Sequence, residues 1–199
     1  VPPPPPPEPS SSLFVAVAIN GAVMTSPDGI TWTSRTPATN NDWSSVTYGT
    51  VEGVGLFVAV AHDGYVMTSP DGVTWTSSIS PSVGAGWNSV CWSPELSLFC
   101  AVSGGGHVMT SPDGTTWTSR VAAASNGWRA VTYGNGLFVA VASTTGTGNR
   151  VMTSDNGIDW TIRTSAADND WNSVTFGDGL FFAVAGTGDG NRVMTSADG

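Results

Sequence analysis

The chain has 199 residues, of which only 11% are charged and 40% are apolar, and a formal net charge of -9. Its basic residues are six arginines and no lysine against fifteen acids, which argues against a nucleic-acid backbone or an anionic membrane surface as partner, because both draw on dense Lys/Arg. The composition is too apolar for a disordered chain and too poor in charge for a long-helix protein, and no apolar run reaches the roughly eighteen residues that would span a membrane.

Residues 1–12 come first and stand apart. Pro2 to Pro7 form a stiff polyproline II rod of about 19 Å at roughly 3.1 Å per residue. With Glu8 to Ser12 the segment is expected to be a proline-rich linker or stalk. It lacks the basic start and apolar stretch of a signal peptide. The reading is a chain that begins inside a longer protein, since the last repeat also stops in mid-motif at Gly199.

From residue 13 to residue 199 the sequence repeats. The phrase V-M-T-S begins at Val23, Val66, Val108, Val151 and Val193, at successive offsets of 43, 42, 43 and 42 residues. A second phrase, W-x-[SA]-V, begins at Trp43, Trp87, Trp128 and Trp171. A third, L-F-V-A-V-A or a close variant, begins at Leu13, Leu56, Leu98, Leu137 and Leu180. Eight of the nine tryptophans fall at two fixed positions of the repeat, as residues packing against their equivalents in the next unit would. Tyr48 and Tyr133 share another repeat position, which marks them for packing too.

Each unit reads as four short strands rich in β-branched and aromatic residues and separated by Gly, Asn, Asp or Pro. Four strands in about 43 residues is the size of one blade of a β-propeller. The expected fold is therefore all-β, a propeller of about five four-stranded blades with incomplete ends. The blades lie at about 13–36, 43–79, 87–121, 128–164 and 171–199. The first lacks an innermost strand and the last an outermost one. A β-solenoid is the alternative.

Turn chemistry sets a register. Asn135-Gly136 and Asp178-Gly179 suit two-residue hairpins, placing Thr132 opposite Val139 and Thr175 opposite Phe182. The same rule in the third unit puts Cys91 directly opposite Cys100, the only two cysteines. A disulfide is expected there, and with it an oxidising compartment.

The phrase S-P-D-G-x-T-W resembles the Asp-box (BNR) repeat of sialidase-like propellers. It is carried by Ser26, Asp28 and Trp32, by Ser69, Asp71 and Trp75, and by Ser111, Asp113 and Trp117. A fourth copy has Ser154, Asn156 and Trp160, and a fifth stops at Ser196, Asp198 and Gly199. The box is one residue shorter between Asp and Gly than the usual form. The resemblance implies that the box is a structural turn between the third and fourth strands, with the W-x-[SA]-V strand innermost. It also implies what an enzyme of this kind would need: an arginine cluster, a Tyr nucleophile with a Glu partner, and an acid/base Asp. The three glutamates, Glu8, Glu52 and Glu95, all fall in loops or the linker. The chain is expected to be a non-catalytic member, with no cofactor.

Other chemistry is thin. Asp168-Asn169-Asp170 lacks the full D-x-[DN]-x-[DN]-G calcium pattern and reads as a solvated loop. His62 and His107, with the two cysteines, have no zinc spacing. The candidate ligand site is the longer loop of the last two units, with Arg150, Arg192 and Asp189 as a small sugar-binding group. The expected function is an extracellular structural or adhesive module of a surface fibre, filament or viral appendage, located outside the cell or on a cell or virion surface. Self-assembly into an oligomer or filament is the expected partnership, with glycans the alternative. A lectin-like propeller is the second reading and a glycoside hydrolase a distant third.

Overall fold

A computed structural model describes residues 13–143 and 149–199. The expected stalk, 1–12, and the part of the long fourth-unit loop at 144–148 lie outside the described residues. Eighteen strands make up the described chain, and among the described residues no helix is long and apolar enough to cross a membrane.

The strands follow the repeat. The first unit holds β1 (Phe14–Val17), β2 (Val23–Ser26) and β3 (Thr33–Arg35); the second β4 (Trp43–Val51), β5 (Val54–Ala61), β6 (Tyr65–Ser69) and β7 (Thr76–Ile79). The third holds β8 (Trp87–Ser93), β9 (Leu98–Ser103), β10 (His107–Ser111) and β11 (Thr118–Val121). The fourth holds β12 (Trp128–Gly134), β13 (Leu137–Ala142), β14 (Val151–Ser154) and β15 (Thr161–Arg163). The last holds β16 (Trp171–Gly177), β17 (Leu180–Ala185) and β18 (Val193–Ser196). Each unit is its own antiparallel meander, giving sheets of three, four, four, four and three strands. The strands β4, β8, β12 and β16 pack against one another in succession, so the W-x-[SA]-V strand is the innermost of the second to the last sheets. This is the architecture of a β-propeller.

The hairpins are as expected from Asn-Gly and Asp-Gly. Asn135 and Gly136 sit at φ 50° and 75°, Asp178 and Gly179 at 51° and 76°, the left-handed pair that a tight hairpin turn requires. Thr132 pairs with Val139 and Thr175 with Phe182. Near each innermost Trp a bulge shifts the register, so Trp128 faces Ala142 and Trp171 faces Ala185. The bulged residue turns a polar side chain toward the next sheet: Ser44 donates to the carbonyl of Trp87 at 2.6 Å, and Asn88 to that of Trp128 at 2.7 Å.

The core is a row of four interfaces rather than one centre, and each has the same recipe. Val58, Val60 and Val66 of the second sheet meet Trp87, Phe99, Ala101 and Met109 of the third. Cys100, Val102 and Val108 of the third meet Trp128, Phe138, Ala140 and Met152 of the fourth. Val139, Val141 and Val151 of the fourth meet Trp171, Phe181 and Ala183 of the last. At each of these interfaces one sheet thus offers small side chains, mostly Val, and the other offers Phe and Ala with an innermost Trp. The four innermost tryptophans are essentially fully buried, so the hydrophobic gain of each interface is concentrated at one indole.

Cys91 and Cys100 are cross-strand partners, as the register required. In the structure both are free, buried thiols, and the expected bridge stays a matter for the labelling test below. Burial pushes both thiols far above their ordinary range, and the thiolate is the species that reacts to make a disulfide. A thiol reagent is expected to label neither cysteine in the native chain and both after denaturation without reductant. Failure to label the denatured chain until reductant is added would show a bridge instead.

Candidate functional site

The repeated turn is the densest polar arrangement in the molecule. In the third unit the Ser111 hydroxyl donates to Asp113 Oδ1 at 3.0 Å and accepts from the Gly114 N–H at 2.8 Å. Asp113 Oδ1 then accepts from the N–H groups of Thr115 and Thr116 at 2.8 and 2.6 Å. Trp117 Nε1 closes the turn on the Gly114 carbonyl at 3.0 Å. The same bonds recur around Ser26, Asp28 and Trp32 and around Ser69, Asp71 and Trp75. In the fourth unit Asn156 Oδ1 takes the role of the carboxylate, accepting from Ile158 and Asp159 at 2.8 and 2.9 Å, with Ser154 and Trp160 as before. In each of the first four turns a side-chain Oδ1 of Asp or Asn is spent on its own backbone, an Asx-type turn.

These bonds hold the carboxyls down. Asp28 is lowered from 3.8 to about 2, chiefly by the N–H of Thr31, and Asp71 to about 2, chiefly by that of Thr74. At Asp113 burial opposes the charge, but the N–H groups of Thr116 and Thr115 outweigh it and the net shift is downward. A carboxyl lower in the folded chain than in the unfolded one stabilises fully above the unfolded value. That contribution is lost as pH falls through the folded value. Melting temperature is therefore expected to hold from neutral pH to about pH 4 and to fall between about pH 4 and 2. Asp71→Asn is expected to shrink that acid-side fall while keeping the turn, since Asn156 already serves. An equally steep fall in the variant would mean that other groups drive acid unfolding.

The turn also reaches the neighbouring sheet. A Cβ on Gly114 would lie 2.9 Å from both Leu56 and Val58 of the second sheet, and one on Gly72 would lie 2.7 Å from Leu13 of the first. The turn glycines of the second and third sheets are thus seated against a Leu of the sheet before, whereas Gly29 of the first sheet meets only Phe14 of its own sheet.

The arginines are dispersed. Arg35, Arg120 and Arg163 donate through Nε to Thr25, Thr110 and Thr153 at 2.8–2.9 Å, one repeated side-chain pair. Arg129 bonds to Ser143. Arg150, largely buried, is clamped by Asp168 at 2.8 Å and Asp170 at 2.7 Å, and its Nη1 also reaches the Ser143 carbonyl. It pins the fourth sheet to the loop that leads into β16. The acidic loop expected to be solvated therefore holds an arginine. Arg192, its equivalent in the last unit, is exposed and donates to the Gly188 carbonyl at 2.6 Å. Among the described residues Arg150, Arg192 and Asp189 do not bond to one another, so the proposed sugar group is not drawn together. His62 and His107 are exposed, and the described residues contain no group of three or more His, Cys, Asp or Glu arranged to hold a metal.

One set of positioning residues escaped the sequence reading. Asn41, Asn126 and Asn169 are buried two positions before an innermost Trp and bond across to Asp63, Asn149 and Asn191 respectively, tying that loop to the hairpin between the second and third strands. The recurring N-x-W spacing was the available signal, interrupted in the third unit by Ala85.

An apolar cavity of about 220 Å³ lies between the fourth and last sheets, lined by Val139, Val141, Val151, Met194 and Gly199 among others. Trp75 and Trp117 pack at the corresponding places of earlier interfaces.

No family model and no curated protein matches the chain. Solved structures do. The chain is similar to YCF48 bound to a D1 peptide, at 17% identity and a TM-score of 0.66, over 92% of this chain and 58% of that one. It is similar to virginiamycin B lyase from Staphylococcus aureus at 10% identity and a TM-score of 0.71, over 96% of this chain and 72% of that one. A chain of the nidogen/laminin complex matches at 15% identity and a TM-score of 0.61, over 87% and 69%. At these identities the likeness establishes the β-propeller fold alone, and those proteins differ in what they do.

Proposed function

We propose that this chain is a non-catalytic propeller module of five Asp-box-like blades that serves as a structural or adhesive part of an extracellular fibre, filament or virion appendage. The observation that carries this reading is where the polar chemistry goes. The turn carboxylates of the first three units bond to their own backbones, and Arg150 is consumed by Asp168 and Asp170. The arginines that would have to converge on a substrate carboxylate are instead spread over separate partners. Low charge and the lack of lysine support a setting outside the cell.

A sugar-binding propeller is the second reading, favoured by the exposed Arg192 on the extended loop that also carries Asp189. A glycan array probed with the labelled full chain separates the two. No retained glycan is the result expected of a structural module. Retention that is lost in Arg192→Ala would replace it with the sugar-binding reading.

A further inference from the structure

Four Asn-Gly pairs occur in the chain, beginning at Asn20, Asn126, Asn135 and Asn156. Glycine has no Cβ, so its backbone nitrogen can approach the side-chain amide of the residue before it. Whether it does so depends on what holds that nitrogen and that amide. At three of the pairs the fold holds one or both. Gly21 is buried and its N–H donates to the Asn41 carbonyl at 2.8 Å. Asn126 is buried, with Nδ2 donating to the Asn149 carbonyl. Gly157 is buried and its N–H donates to Ser154 Oγ at 2.8 Å, while Asn156 Oδ1 accepts from the N–H groups of Ile158 and Asp159.

Asn135-Gly136 is held by neither device. It is the tip of the hairpin between β12 and β13, and both residues are exposed. The Asn135 amide reaches the Ala197 carbonyl at 3.4 Å, a long and exposed contact. Among the described residues no backbone bond occupies the Gly136 N–H, and a Cβ on Gly136 would meet nothing within 4 Å. This openness belongs to the hairpin's place in the repeat. Gly53, at the tip of the corresponding and longer hairpin of the second sheet, is followed by the complete box of the third and likewise has nothing within 4 Å.

We propose that Asn135 is a self-modification site, with water as co-reactant: the Gly136 nitrogen displaces ammonia from the Asn135 side chain, and the ring so formed opens to an acid. The Gly136 nitrogen loses its proton and bonds to Asn135 Cγ. The Cγ–Nδ2 bond breaks and Nδ2 leaves as ammonia, giving a cyclic imide. Water then cleaves one of the two C–N bonds of the ring. Cleavage at Cγ gives aspartate; cleavage at the backbone carbonyl gives isoaspartate, whose main chain runs through Cγ. The attack needs rotation between the Cα and carbonyl carbon of Asn135, for which the open tip has room. Both products add a negative charge, but they treat the hairpin differently. Aspartate reproduces the Asp178-Gly179 tip of the last sheet, with φ 51° and 76° there against 50° and 75° here, so the pairing of Gly134 with Leu137 is kept. Isoaspartate adds a backbone carbon to a tight turn that sets the register of both strands.

Peptide mass spectrometry of the full native chain over time, in mildly alkaline buffer below its melting temperature, tests the proposal. A time-zero sample digested in parallel corrects for conversion during digestion. The Asn135 peptide is expected to gain the amide-to-acid mass increment at least about tenfold faster than the Asn20, Asn126 and Asn156 peptides, because a hairpin tip opens locally while the buried pairs wait for larger openings. In the denatured chain that advantage should disappear. Isoaspartate at position 135 is read by a carboxyl methyltransferase specific for it, with labelled S-adenosylmethionine. The Asn135→Asp variant should melt with the parent, and the isoaspartyl fraction of the aged chain below both. Conversion of Asn135 no faster than that of the other three in the native chain would overturn the proposal. So would conversion without isoaspartate, since direct hydrolysis of the amide gives aspartate alone.

Discussion

Trp128→Ala is expected to destabilise the chain by about 3–5 kcal/mol, whereas Trp32→Ala should cost about 1 kcal/mol. The two residues have the same chemistry and differ in what they touch. Trp128 is fully buried at the junction of the third and fourth sheets, against Cys100, Val102 and Val108, with its Nε1 bonded to the Ala124 carbonyl at 3.2 Å. Removing its indole leaves a cavity between two sheets that touch mainly through this cluster. Because each sheet meets only its neighbours, the loss stays at that junction rather than being shared. Trp32 lies on the uncovered first sheet and is 40% exposed. Denaturant titration reads both, the loss appearing as a lower midpoint. A cost below about 1 kcal/mol for Trp128→Ala would mean that the innermost indole is not what holds the sheets together.

Gly114→Ala should cost about 2–4 kcal/mol, against about 1 kcal/mol for Gly136→Ala. Both glycines have positive φ, 74° and 75°, so both variants carry the left-handed strain of an L residue. Only at Gly114 would the new methyl also meet Leu56 and Val58 of the neighbouring sheet at 2.9 Å; at Gly136 nothing lies within 4 Å. The difference between the two variants therefore isolates the close approach of turn to neighbouring sheet. Equal losses would assign the conservation of this glycine along the repeat to turn conformation alone.

Much of the fold could be read from local chemistry because the repeat multiplies each signal. A period of 42–43 residues and two-residue Asn-Gly and Asp-Gly turns were enough to place Cys91 against Cys100 and Thr132 against Val139, as the structure has them. The bulge at each innermost Trp was not legible, because it arises from packing against the next sheet rather than from any residue preference at Ser44 or Asn88. The oxidation state of Cys91 and Cys100 was likewise beyond reach of register alone. Adjacency permits a bridge, but burial of both thiols decides their reactivity.

The candidate site was the least legible part. Arg150 and Arg192 occupy the same repeat position and looked like a pair. Their fates differ because Arg150 has a following sheet whose loop supplies Asp168 and Asp170, while Arg192 belongs to the last sheet. The same end effect explains the exposure of Phe14 and Val184, which carry ordinary core residues of the repeat. A repeat pattern reports what a residue does in the middle of the row, and the first and last described sheets depart from it.

The most direct test of the account is cryo-electron microscopy of the full chain over a range of concentrations. The account predicts ordered oligomers or filaments of the propeller. Isolated single copies at every concentration would contradict it.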